Sequence, residues 1–205
     1  MFVKICGITR MQDARAAVDA GARALGFVFW PNSPRFVDPY RARAIVATLP
    51  PFVTAVGLFV NQPTAYIRGV ASLVRLGAIQ LHGDESPADA APLHMPVIKA
   101  LPVTAPVDAW PARTIVLLDA HDPDRRGGTG QVIDWAAAAA VAARRPVLLA
   151  GGLTPDNAAD AIARVRPFGI DVSSGVEQSP GIKDHQRLRA LFEAVHDADH
   201  DAARS

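Results

Sequence analysis

One cysteine, almost no net charge and no long apolar run set the first limits on this chain of 205 residues. A single thiol, Cys6, permits no internal disulfide, which fits the reducing cytoplasm. A formal net charge of +1 gives no electrostatic bias toward nucleic acid or an anionic membrane. No apolar stretch is long enough to span a bilayer, and residues 136–143 form only a short alanine-rich segment before Arg144-Arg145. The opening Met1-Phe2-Val3-Lys4 enters a strand pattern directly and lacks a signal-peptide layout. No linker rich in glycine, serine or proline divides the sequence. Residues 1–205 therefore read as one domain, with a polar tail expected to fray from about Asp197.

What is present is alternation. Half of the residues are hydrophobic, enough for a substantial core. Strand patterns fall at 2–6, 24–29, 53–60, 78–81, 97–101, 114–119, 146–150 and 169–172. Helical patterns fall between them at 11–20, 39–49, 63–75, 86–91, 133–143, 154–165 and 184–195. Pro102, Pro106 and Pro111 leave only a short or irregular helix between the fifth and sixth strands. Eight such units in an α/β chain of this length predict a single (β/α)8 TIM barrel. The rival open sheet would carry G-x-G-x-x-G after its first strand, where this chain has Cys6-Gly7-Ile8-Thr9-Arg10.

In a barrel every strand tip faces one bowl. Cys6 stands at the first tip and Asp119 at the sixth, a candidate base and acid. Against this, a free cysteine is commonly an inert core residue and an aspartate commonly caps a loop. Lys4, two residues before Cys6, shares its face, and its ammonium is expected to lower the thiol pKa. A lysine inside a barrel needs a partner, and the closing eighth strand offers Asp171 below Ser173. A Lys4–Asp171 pair beneath the bowl is therefore expected.

The seventh and eighth strands end in Gly151-Gly152 and Ser173-Ser174-Gly175, donor-rich loops of the kind that cradle phosphate. A tight turn is the plainer reading of Gly151-Gly152 alone. Gly127-Gly128-Thr129-Gly130 after the sixth strand is placed to close over the same anion, with Gly128 and Gly130 as its donors. No Walker-type lysine accompanies these loops, which disfavours a nucleoside triphosphate. Arg35, stiffened by Pro31 and Pro34, is either a clamp for a substrate carboxylate or a solvated surface arginine. His82 at the fourth tip is a third proton-transfer candidate or a hydrogen-bonding bystander. Metal is not expected, because His82 is the only histidine squarely at a strand tip.

Nine segments, in order, resemble the phosphoribosylanthranilate isomerase family of tryptophan biosynthesis. They are Lys4-Ile5-Cys6-Gly7-Ile8-Thr9, Ser33-Pro34-Arg35-Phe36-Val37, Gly57-Leu58-Phe59-Val60-Asn61, Gln80-Leu81-His82-Gly83 and Leu118-Asp119-Ala120. Gly127-Gly128-Thr129-Gly130, Ala150-Gly151-Gly152-Leu153, Asp171 through Glu177 and Pro180-Gly181-Ile182-Lys183-Asp184 complete the set. Leu58 stands where valine is commoner and Ile133 where phenylalanine is commoner, both apolar exchanges. The resemblance implies Cys6 as general base, Asp119 as general acid, Arg35 on the anthranilate carboxylate and the last two loops on phosphate. It implies an Amadori rearrangement of N-(5-phosphoribosyl)anthranilate with no redox cofactor or metal. The partner is then a small-molecule substrate, with no nucleic acid or membrane, for a monomer or homodimer. Two other readings stay open: another sugar-phosphate isomerase or epimerase barrel, and a non-catalytic sugar-phosphate binding domain.

Overall fold

Eight strands close on one another in sequence order, each parallel to its neighbours, in a computed structural model that describes residues 1–119 and 133–202. They are β1 (Phe2–Ile5), β2 (Ala24–Val28), β3 (Thr54–Phe59), β4 (Ala78–Leu81), β5 (Val97–Leu101), β6 (Ile115–Leu118), β7 (Val147–Leu149) and β8 (Gly169–Val172). Helices α1 (Met11–Ala20), α2 (Pro39–Val46), α3 (Thr64–Val74), α4 (Pro87–Ala90), α5 (Trp135–Ala142), α6 (Ala158–Val165) and α7 (His185–Ala202) follow strands one, two, three, four, six, seven and eight. A short hairpin of β9 (Glu177–Ser179) and β10 (Ile182–Lys183) lies between β8 and α7.

Two apolar layers account for the closure. Ala24, Val56, Ala78, Ile98, Leu117 and Leu148 pack inside the barrel. Their strand neighbours, including Leu25, Ile79, Leu118 and Leu149, face outward and join the helices in a second, larger core. Both faces of each strand are thus buried, so the strands read as continuous apolar runs.

Local chemistry sets the helix ends. Asp38 caps α2 by accepting from Tyr40 and Arg41 N–H, with Pro39 preset for the first turn. Gly21 ends α1 at φ 117°, a left-handed conformation that suits glycine. Two expectations need correction. The α6 helix starts at Ala158 and not at 154, because Asn157 first bridges the loop: its Oδ1 takes the Thr154 N–H at 2.8 Å and its Nδ2 reaches Gly152 O at 3.0 Å. The α7 helix does not end at 195 but runs to Ala202. No glycine or proline interrupts that stretch, Ala198 packs on the core, and the Met1 ammonium bonds Asp199.

The proline-rich connection between β5 and β6 holds only a 3-10 turn, Val107–Ala109. Arg145 serves that segment from a distance. Its guanidinium donates to the carbonyls of Val107, Trp110, Pro111 and Thr114 at 2.6–3.3 Å.

Candidate active site

Lys4 on β1 and Cys6 directly after it lie on the inward face, and Gly26 on β2 leaves them room. A Cβ at Gly26 would lie 2.7 Å from Cys6 Sγ and 3.1 Å from Lys4 Nζ. Lys4 and Asp171 are register partners, and the expected ion pair is present with Nζ 2.8 Å from Oδ1. Burial disfavours the charge on Lys4, but Asp171 and Cys6 outweigh it and its pKa lies above the ordinary lysine value. Cys6 is 5% exposed, against Val28, Leu58 and Val60, with Trp30 packed on the same patch. The expected lowering of its pKa is overturned. Burial pushes the thiol up, Asp171 adds to this, and Lys4 and Lys183 only partly oppose it.

On the far side of the barrel, Asp119 follows Leu118 and shares the inward face of Leu117. His82 Nε2 lies 3.4 Å from Asp119 Oδ2, and Gln80 Nε2 lies 2.9 Å from His82 Nδ1. The direction of the Gln80–His82 bond follows the imidazole tautomer, and Nε2 is the ring nitrogen that faces the carboxylate. The loop after β4 is braced around this histidine. Lys99 binds Gly83 O and Glu85, while Glu85 takes the N–H groups of Asn61 and Gly83.

Arg35 is not a free surface arginine. Its Nε and Nη2 grip Glu177 bidentately at 2.7–3.1 Å. That occupies one edge of the guanidinium and leaves Nη1 outside the pair. The Arg35 stem crosses Gly7, where φ is +77° and a Cβ would come 2.7 Å from Arg35 Cδ. Glu177 also binds Lys183, with Nζ 2.8 Å from Oε1. Lys183 Nζ reaches the carbonyls of Cys6 at 2.5 Å and Ser173 at 3.2 Å. Burial holds the Lys183 pKa below the ordinary value, although Glu177 pulls it upward.

Gly151 and Gly152 take φ of 80° and 63°, so both are in a conformation that favours glycine. The next loop presses on this one: a Cβ at Gly175 would sit 1.9 Å from Leu153 O. Ser174, Gly175 and Gly152 line a cavity of about 560 Å³ with Thr154 and Arg187. The Ser173 hydroxyl is already engaged, donating to Cys6 O at 3.2 Å. Gly128 and Gly130 lie outside the described residues. Among the described residues no group of three or more His, Cys, Asp or Glu side chains could hold a metal ion.

Sequence reasoning missed Gly26, Gln80 as the partner of His82, and the roles of Glu177 and Lys183. Inward alternation on β2 and β4 could have flagged the first two. Glu177 and Lys183 stood inside quoted motifs, but their partners lie far away in sequence.

This arrangement has counterparts. The model of the N-(5'-phosphoribosyl)anthranilate (PRA) isomerase family matches residues 3–194. The chain belongs to that family. It is 52% identical over 198 residues to the N-(5'-phosphoribosyl)anthranilate isomerase of Pseudomonas fluorescens strain Pf0-1, covering 94% of this chain and 97% of the relative. The crystal structure of phosphoribosyl anthranilate isomerase from Thermotoga maritima superposes with a TM-score of 0.87 at 42% identity, covering 96% of this chain and 99% of that one. A further family structure, in complex with reduced 1-(o-carboxyphenylamino)-1-deoxyribulose 5-phosphate, gives 0.84 at 41% identity over the same shares. Family membership makes the chain an isomerase of tryptophan biosynthesis and displaces the epimerase and binding-domain readings.

Proposed function

We propose that this chain rearranges N-(5'-phosphoribosyl)anthranilate with Cys6 as general base and Asp119 as general acid. The observation that carries the reading is their placement at the carboxyl ends of β1 and β6 of one closed barrel, Asp119 beside His82. Asp119 protonates the ring oxygen as the anilinic nitrogen pushes the furanose open. The resulting iminium acidifies the proton on the neighbouring sugar carbon, and the Cys6 thiolate takes it. The enolamine then tautomerises to the aminoketone. The proton gained from Asp119 balances the one lost to Cys6, so the composition of the molecule is unchanged.

The surroundings support these roles. A thiol held above its ordinary pKa is a scarcer thiolate near neutrality but a stronger base, and Lys4 gives the anion a counter-charge. His82, with Nε2 3.4 Å from Asp119, is placed to stabilise the carboxylate once its proton has gone. The apolar wall of Val28, Leu58 and Val60 beside Cys6 suits an aromatic ring. The outer edge of Arg35 suits its carboxylate, and the loops at Gly151-Gly152 and Ser174-Gly175 suit the phosphate at the other end. Holding both anionic ends fixes the sugar between acid and base, and such positioning is worth up to roughly 7–11 kcal/mol of barrier. The free thiol on which the base depends is at home in the cytoplasm.

The test is loss of substrate fluorescence on turnover. Cys6→Ser and Asp119→Asn are each expected to lower kcat by about 10²–10⁴-fold while product-like ligands still bind. Near-normal turnover of Cys6→Ser would remove it as the base.

A further inference from the structure

We infer that Lys183 is a positioning residue of this site, and that the Arg35–Glu177–Lys183 triad draws in the anionic substrate group through its one unbalanced positive charge. The inference rests on the assignment of Cys6 and Arg35 to the site.

Geometry supplies the first half. Lys183 is 2% exposed, and its Nζ meets three acceptors: Cys6 O, Ser173 O and Glu177 Oε1, at 2.5, 3.2 and 2.8 Å. Three acceptors match the three N–H groups of an ammonium. One side chain on β10 thus ties the peptide carrying the base to the loop that opens at Ser173. Through Glu177 it also sets the angle of Arg35, whose stem crosses Gly7 directly after Cys6.

Charge supplies the second half. Arg35 alone against Glu177 would be a neutral pair with little pull on an anion. Lys183 is a second cation on the same carboxylate, and Gly181 N–H is a further donor to it at 3.2 Å. Asp13 accepts the Lys183 backbone N–H but is itself paired with Arg10. Two cations therefore share one carboxylate in a buried corner. Arg35, at 13% side-chain exposure, is the member of the triad that reaches solvent. An uncompensated buried charge is costly, and an arriving carboxylate relieves it.

Substrate kinetics of three variants test this, each checked first by thermal melting. Lys183→Met leaves the neutral Arg35–Glu177 pair and is expected to raise KM at least about tenfold, the lower end for a charge-assisted hydrogen bond. It also leaves the Cys6 carbonyl held by the Ser173 hydroxyl alone and lowers kcat. The double variant Glu177→Gln/Lys183→Met restores one net positive charge. Its KM is expected to return to within about threefold of wild type while kcat stays low. Loss of mere structural support would not be rescued by removing a second partner. A KM unchanged in Lys183→Met, or no better in the double variant, overturns the inference. If Lys183→Met does not fold, the double variant decides alone: near-normal KM with kcat reduced supports it, and raised KM or normal kcat overturns it. Cys6→Ser, the third variant, separates the two failures. If it stays active, the assignment of the base falls. If it is inactive while Lys183→Met behaves as wild type, only the present inference falls.

Discussion

Lys4 and Asp171 face each other across the seam where β1 meets β8, Nζ 2.8 Å from Oδ1, directly below Cys6. The carboxylate neutralises the lysine and at the same time opposes ionisation of the thiol. Asp171→Asn is therefore expected to do two opposite things. It strands a buried ammonium, at a cost of about 3–5 kcal/mol in denaturant unfolding. It also lowers the thiol pKa, so alkylation of the single cysteine at fixed mildly alkaline pH becomes faster. In wild type the alkylation rate should climb through a midpoint above the ordinary thiol value of 9.0. Slower alkylation in Asp171→Asn would contradict this account.

Gly26→Ala tests the room made for the base. The new Cβ would meet Cys6 Sγ at 2.7 Å, closer than such contacts occur. Overpacking of this kind costs about 1–3 kcal/mol. Turnover is expected to fall more than melting temperature, because the displaced atom is the reacting sulfur. Unchanged kcat would mean that the sulfur has freedom the packing denies.

Arg35→Lys keeps the charge but loses the fork. Lysine cannot hold Glu177 bidentately and present a second edge. KM is expected to rise by about tenfold or more, with kcat less affected. Equal effects on both would instead place Arg35 in the chemical step.

Acid stability turns on Asp13. Burial raises its pKa, but Arg10 and His185 with the Lys183 N–H outweigh this and hold it below the ordinary 3.8. A depressed carboxylate contributes stability that is present above pH 3.8 and lost as pH falls through the lower folded value. Asp13→Asn is expected to be less stable near neutrality and to show a shallower loss below pH 3.8, measured by urea midpoints across pH.

The barrel was legible because its strands are buried on both faces and end abruptly at chemistry: Cys6, His82, Asp119. Even the Lys4–Asp171 pair could be read, since alternation fixed the faces and closure put β8 beside β1. The thiol pKa could not. Its sign depends on how deeply Val28, Leu58 and Val60 enclose the sulfur, and spacing carries no depth. Arg35 looked free for the same kind of reason. Glu177, its partner, lies 142 residues away, with no periodicity linking them. The start of α6 was missed because Thr154-Pro155 resembles a helix cap, while Asn157 spends its amide on the preceding turn.

Arg145 has a consequence for the wall between β5 and β6. Residues 107–114 lack a helix of their own, and four of their carbonyls converge on a guanidinium 31–38 positions further along. That stave of the wall is therefore tied to its neighbours by one side chain from just beyond α5, and four of its carbonyls would lose a donor together if Arg145 were truncated.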